Sequence, residues 1–180
     1  MTANPMDWDR YFREQAALHN SAAVEAIIKT LAYHLRSTRG RDWRGLHFVE
    51  VGCGAGCNLE WLASRGVRVS GLDLSETAVE LARKRLAPSG NLVRVVQGEA
   101  HRLPFGDGEM DGVVEACVLQ HLAPRERHTA YAEIVRVLKP GGVFVGYCLS
   151  RAHTVYRAHA TECLADDHGT IVLQDGRVPG

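Results

Sequence analysis

Three glycines at alternate positions, Gly52, Gly54 and Gly56, follow an apolar run in the stretch EVGCGAGCNLEWLASRG. Glycine accepts the backbone angles of a tight strand-to-helix turn and lets the chain approach a ligand closely. A helix that starts there presents free N–H groups and a positive dipole end, which attract anions. The spacing is GxGxG, whereas a dinucleotide-binding loop is GxGxxG, with its third glycine reserved for close helix packing. Cys57 stands at that third position, and its larger side chain counts against NAD or FAD. A Walker-type loop fails as well, because no Gly-Lys-Ser/Thr follows. Glu50, just ahead of the first glycine, would repel a pyrophosphate but suits an amino group or another cation. Asp73 closes the next apolar run, about 20 residues on, where a carboxylate can bond both ribose hydroxyls. These residues together describe a pocket for a ribose, a cationic or amino group, and a small anion at the helix start.

The elements that must position them alternate along the chain. Valine-rich apolar runs at LHFVEVG, VRVSGLD, LVRVVQG, MDGVVEAC and VFVGYCL read as five strands. Helical patterns separate them: NLEWLASRG with Gly66 as a left-handed C-cap, SETAVELARKRLA capped by Ser75, and a helix from Pro124 to about Leu138. Lys139-Pro-Gly-Gly142 stops that last helix and makes a tight turn, with Asp111 supporting a turn rather than touching a ligand. Ahead of the first strand, Val24, Ile27, Ile28, Leu31 and Leu35 recur at helical spacing from Ser21 to about Arg36, with Asn20 or Ser21 as the cap. RGRDWRG is then a loop. Strands alternating with helices imply right-handed crossovers and a parallel sheet covered on both faces.

At 180 residues the chain is expected to be one domain, long enough to bury about 70% of its unfolded surface. Lys and Arg together number 21, as do Asp and Glu, so no global basic field draws the chain to nucleic acid or an anionic membrane. No apolar run approaches the roughly 18 residues of a membrane span, and the opening MTANPMDWDRYF has no secretory pattern. The expectation is a cytoplasmic protein. Its five cysteines, Cys53, Cys57, Cys117, Cys148 and Cys163, form neither a disulfide framework nor paired metal ligands. No metal site is expected.

S-adenosylmethionine (SAM) carries the ribose, the amino group and the carboxylate that the glycine-loop pocket asks for. EVGCGAG, GLDLS, VQGEAHRLPFGDGEMDGVV and LKPGGVFV occur in order over roughly residues 45 to 150, and together they resemble the class I SAM-dependent methyltransferases of the small-molecule type. The resemblance implies an α/β, Rossmann-like three-layer αβα sandwich with a mostly parallel sheet. It divides the chain into an N-terminal helical lid (1–40), a cofactor-binding core (45–150) and a short tail (151–180). It further implies that Glu50, Gly52 and the backbone at Cys53 and Gly54 lie along the methionine part, with Gly56 also in the cofactor-binding loop, and that Asp73 holds the ribose with Leu74 against the adenine. Glu99 and Ala100 would meet the adenine edge, and Glu115 and Ala116 the methionine and sulfonium side. The family usually has Asp where this chain has Glu99. WDRYF places Trp8, Tyr11 and Phe12 where similar enzymes fold a lid; Tyr11 would reach the methionine carboxylate, or the three rings simply pack on the domain.

Methyl transfer from a sulfonium needs alignment more than acid or base help, and positioning alone supplies roughly 7–11 kcal/mol. Where the acceptor arrives protonated, His121 in CVLQHL is the candidate base, with His101 and Tyr147 weaker ones; otherwise His121 packs between the fourth strand and the next helix. No NPPY-like motif follows the fourth strand, which disfavours amino-methylation of DNA bases, and the resemblance implies a small-molecule acceptor. The family fold continues past its fifth strand with a helix and two more strands. Here AHTVYRAHATECLADD reads as one helix and GTIVLQDG as one short strand. The chain is therefore expected to lack the full C-terminal strand pair. It is a truncated form, or it covers the fifth strand's edge with its tail or with a partner chain as a homodimer. The alternative to an enzyme is a SAM-binding module without turnover, regulatory or partner-dependent.

Overall fold

The computed structural model describes residues 7–14, 22–150, 163–165 and 171–173. Five strands form one sheet: β1 (His47–Val51), β2 (Arg68–Asp73), β3 (Val93–Gln97), β4 (Met110–Ala116) and β5 (Leu138–Tyr147). Their spatial order is β3-β2-β1-β4-β5, and every pairing between neighbours is parallel. The chain winds outward from β1 to β3, then returns across β1 to place β4 and β5 on the other side. That reversal leaves a crevice beyond the carboxyl ends of β1 and β4, where open α/β sheets bind ligands.

Alternation along each strand divides the core in two. Phe48 and Val114 point to one face and pack with α2 (Glu25–Arg39), α3 (Cys57–Ala63) and α4 (Glu76–Leu86) through Ile27, Leu59 and Val79. Val49, Val51 and Val113 point to the other and meet Ala130, Ile134 and Val137 of α5 (Pro124–Val137). The result is the expected three-layer sandwich. Gly112 of β4 makes room for this packing. A Cβ there would lie 2.1 Å from Phe48 Cε1, and Phe48 is fully buried. Gly112→Ala is expected to cost about 1–3 kcal/mol of stability through overpacking, measured by urea unfolding. An unchanged midpoint would mean that Phe48 has room the packed core does not display.

Most element boundaries follow the sequence patterns. Ser75 caps α4, its Oγ accepting the Ala78 N–H at 3.1 Å, and Gly66 has the left-handed backbone expected after α3. The second helix differs: it runs Glu25–Arg39, with Val24 at its N-cap and no side-chain cap. Asn20 and Ser21, expected as caps, lie outside the described residues. The structure supplies another partner, since Asn58 Oδ1 accepts the Val24 N–H at 2.8 Å. The Lys139–Gly142 segment ends α5 but is absorbed into β5 as a register shift between Met110 and Gly112 of its neighbour. Asp111 steadies that corner, accepting from the His47 N–H (2.9 Å) and Lys139 Nζ (2.8 Å).

In the tail, the expectation of one helix across residues 152–167 is corrected. Cys163–Ala165 (β6) pairs antiparallel with Ile171–Leu173 (β7) as a separate two-stranded sheet. The apolar Cys-Leu-Ala and Ile-Val-Leu runs satisfy each other's backbone, which a single helix followed by an isolated strand would not. Among the described residues no helix is long and apolar enough to cross a membrane.

Candidate functional site

The glycine loop leaves β1 by a turn that only glycine fits. Gly52 has φ +68, and a Cβ on it would lie 2.1 Å from Val118 Cγ2. The Gly52 and Cys53 N–H groups both donate to the Leu72 carbonyl, at 2.7 and 2.9 Å, which pins the loop to the end of β2. Gly56 begins α3 and lets that helix approach α4; a Cβ there would lie 3.2 Å from both Ala82 Cβ and Leu86 Cδ1. Close helix packing, which a dinucleotide loop assigns to its third glycine one residue later, is thus taken over by Gly56. Cys53 is buried, and burial, then Glu50 and Asp73, raise its thiol pKa well above the usual range. It serves as a small apolar side chain.

Three acids sit at the carboxyl ends of the strands. Glu50 is 2% exposed; its Oε1 accepts from Asn58 Nδ2 at 2.6 Å, while Oε2 is buried with no hydrogen-bond partner among the described residues. Burial pushes its pKa up to about 8, the Asn58 bond opposes this, and the charges of Asp73 and Glu115 add to it. Asp73 accepts the Gly54 N–H on Oδ2 (2.8 Å) and the Ser75 N–H on Oδ1 (3.0 Å), joining the glycine loop to the start of α4. Burial raises its pKa against those backbone bonds. Glu115 points to the opposite sheet face from Glu50, since it pairs in register with Val51. Its Oε1 accepts the Val118 (2.5 Å) and Leu119 (3.1 Å) N–H groups, and burial raises its pKa. Its carboxylate therefore holds the turn at Leu119–His121 in place. Among the described residues, the buried charged side chains are these three acids together with His47; no lysine or arginine is buried with them. Such a site is short of positive charge, and a cationic ligand relieves it.

The remaining expected positions are placed as follows. Leu74, after β2, is 49% exposed and offers an apolar face beside Asp73. Ala100 is buried beyond β3, but the Glu99 carboxylate turns sideways onto His101 Nε2 at 3.0 Å. Its extra methylene carries the carboxylate to that neighbour. Ala116 packs at the end of β4, and Cys117, the next residue, has φ +60, a strained conformation of the kind concentrated at functional sites. His121 is half-buried, its Nδ1 without a hydrogen-bond partner among the described residues. Burial lowers its pKa, opposed by the backbone at Cys117, so the ring is neutral near pH 7.

The short helix α1 (Trp8–Glu14) lies across this end of the domain. The Trp8 ring meets His121 edge-on at 5.0 Å, and Trp8, Tyr11 and Phe12 continue the edge-to-face chain at 5.7 Å each. An atom at the Cβ position of Gly54 would lie 3.4 Å from Phe12 Cζ, so the aromatic chain reaches the loop itself. Asp9 fastens the helix: its Oδ1 accepts the Ser75 hydroxyl and the Thr77 N–H, both at 2.9 Å. Those bonds and Arg13 hold its pKa well below the usual carboxylate range. Asn58 and Asp9 were not anticipated from sequence. Asn58 had a signal, a polar residue on the apolar face of a helix beside Leu59 and Leu62. Asp9 had none, because its partners lie 66 and 68 positions away. Among the described residues no group of His, Cys, Asp and Glu is arranged to hold a metal.

The sequence pattern of a methyltransferase domain matches residues 49–146, which is more than half of the chain and contains all three buried acids. The chain belongs to the methyltransferase-domain family. It is 38% identical over 107 residues to a demethylmenaquinone methyltransferase of Symbiobacterium thermophilum, covering 56% of this chain and 41% of that one. It is 36% identical over 115 residues to a fatty-acid O-methyltransferase of Mycolicibacterium smegmatis, covering 63% and 40%. This methyltransferase-family chain thus spans less than half the length of these two relatives. Among solved structures it resembles the PH0226 protein of Pyrococcus horikoshii, with a TM-score of 0.69 and 25% identity over 91% of this chain and 77% of that chain. SAM is the methyl donor of class I methyltransferases, and two features here fit it: the acid-rich pocket with no buried lysine or arginine among the described residues, and the orphaned Glu50 Oε2.

Proposed function

We propose that this chain carries the cofactor and reaction site of a SAM-dependent methyltransferase acting on a small-molecule acceptor. The observation that carries the reading is the buried, unpartnered Oε2 of Glu50, one of three buried acids, with no lysine or arginine buried beside them among the described residues. In water that atom would be solvated; left dry, it needs a donor, and an ammonium group is the donor that also offsets the charge.

SAM, when bound, supplies an electrophilic methyl group on a positively charged sulfur. The chain does the rest by position. Glu50 takes the amino group, and the backbone of Gly52, Cys53 and Gly54 follows the methionine part, with Gly56 opening the helix behind it. Asp73 accepts from the ribose hydroxyls with its remaining lone pairs, its orientation set by the Gly54 and Ser75 N–H groups. Leu74 and Ala100 bracket the adenine, and Ala116 lines the sulfur side. With its carboxylate turned to His101, Glu99 contributes backbone rather than side chain. Tyr11 and its neighbours in α1 exclude water, as a lid docked through Asp9. His121 takes a proton from acceptors that arrive protonated, which its neutral, half-buried ring permits.

Calorimetric titration with S-adenosylhomocysteine, using NADH as control, tests the cofactor reading; a folded chain that binds neither SAM nor its product ends it. On an accepted substrate with a protonated nucleophile, His121→Ala is expected to lower kcat by about 10²-fold or more while leaving S-adenosylhomocysteine affinity unchanged. The low-pH limb of the parent's rate profile should fall below the usual histidine range and vanish in the variant. An unaltered kcat would return His121 to a packing role.

A further inference from the structure

At the far end of the sheet from the glycine loop, α2 ends, the chain enters β1, and α3 terminates alongside. A cleft of about 590 Å³ opens there, lined by Arg36, Gly40, Arg41, Trp43 and Arg65. Arg65 is held flat, its guanidinium 3.8 Å from the Trp61 ring centroid and 5.9 Å from that of Trp43, and it donates to the Trp61 carbonyl at 3.0 Å. Arg10, Arg13, Arg44, Arg85 and Arg136 each meet a carboxylate, whereas Arg39, Arg68, Arg102 and Arg125 do not among the described residues, so what marks the cleft is that three arginines line it together. The three arginines of the cleft have no carboxylate within ion-pair distance among the described residues, and no acid lines the cleft. Asp42, the acid next to Arg41 in the chain, is already taken by Arg44 at 2.9 Å. Arg36 and Arg65 are close enough that the charge of one disfavours that of the other. The chain as a whole has no net charge, so this concentration is local.

We propose that this cleft is a second ligand site, for a small phosphate-bearing compound whose diphosphate group is gripped by Arg36, Arg41 and Arg65. Guanidinium groups pair with phosphate oxygens two bonds at a time, and a stacked, pre-oriented arginine loses less freedom in doing so. The volume is that of a small-molecule site. Strand-like nucleic acid is a poorer fit. It needs exposed aromatic faces for its bases, whereas Arg65 covers Trp61 and Trp43 is 5% exposed. The site shares no residue with the cofactor pocket and does not depend on the proposed methyl transfer.

The test is tryptophan fluorescence of the 180-residue chain titrated with inorganic pyrophosphate at constant ionic strength, alone and again with S-adenosylhomocysteine present. Saturable one-to-one binding is expected under both conditions. The double variant Arg36→Glu/Arg41→Glu, both exposed positions, should weaken it by about tenfold or more while thermal unfolding stays cooperative. Arg36→Gln/Arg41→Gln gives the same readout should charge reversal disturb the fold. ADP that matches or exceeds pyrophosphate, and is lost in the same variants, supports the site and assigns a nucleotide source. ADP that binds more weakly supports it with a non-nucleotide source. Absence of saturation, indifference to the variants, equal binding of citrate, or much tighter binding of a single-stranded oligonucleotide would each overturn the proposal.

Discussion

At about pH 9 the Glu50→Gln variant is expected to unfold at higher temperature than the parent without ligand, and yet to bind S-adenosylhomocysteine at least about tenfold more weakly. The opposite signs come from one carboxyl group. Its pKa stands near 8 in the folded chain against an ordinary 4.5, so the native state favours the neutral acid. The stability this confers is complete below the unfolded value and is lost as pH rises from 4.5 to about 8. The slope across that window is on the order of 1.4 kcal/mol per pH unit at most. Glutamine has no proton to lose and removes the slope, at the cost of one buried amide group without a partner. Ligand reverses the balance, because an ammonium group favours the carboxylate. Affinity of the parent should therefore rise with pH, by up to about tenfold per unit, until it levels off near the Glu50 pKa. Urea unfolding and calorimetry at several pH values measure both halves. Parallel stability curves for parent and variant, or an affinity flat in pH, would remove Glu50 from the cation site.

Asp73→Ala is expected to abolish measurable S-adenosylhomocysteine binding, a loss of at least about 10²-fold. Two effects act together. The ribose hydroxyls lose their acceptor, and the Gly54 and Ser75 N–H groups lose the carboxylate that holds the glycine loop against α4. Charge-assisted bonds of this kind contribute about 1.5–3 kcal/mol each. Stability falls too, so a comparison variant is needed. Asp111 also accepts a backbone N–H from β1 and a second donor, but at the opposite end of the sheet. Asp111→Ala should destabilise the chain while leaving the ligand affinity within about threefold of the parent. If Asp73→Ala bound ligand as Asp111→Ala does, the ribose assignment would fail.

The three central strands, β1, β2 and β4, were readable because they are buried on both faces, which makes each a short apolar run bounded by turn residues. The glycine loop and the acids at the strand ends were readable because the crossover topology puts every strand's carboxyl end on one side. What joins them was not. Asn58 bridges Glu50 to the start of α2, and nothing in a local pattern says that its Oδ1 replaces the missing cap of a helix that starts at Glu25. Glu115 stands where a ligand contact is expected, and the structure adds a second task, since its Oε1 accepts the Val118 and Leu119 N–H groups. Spacing places a residue at the end of a strand; it does not say whether backbone donors of the next turn reach the side chain first. In the tail, β6 and β7 are three residues each, below the length at which alternation can be distinguished from a helical turn.

The attachment of α1 has a kinetic consequence. The helix has seven residues, none of them buried, and a helix so short is marginal in water on its own. It exists because Asp9 grips Ser75 and Thr77 and because its rings lean on His121 and the glycine loop. Lifting it breaks those contacts and also removes the reason for it to remain helical. In the lid role proposed for α1, access to the pocket is then a local melting event rather than the swing of a rigid flap. Amide exchange at α1 would report the free energy of that opening. For a ligand held under the proposed lid, residence time would then be written into the stability of about two turns of helix.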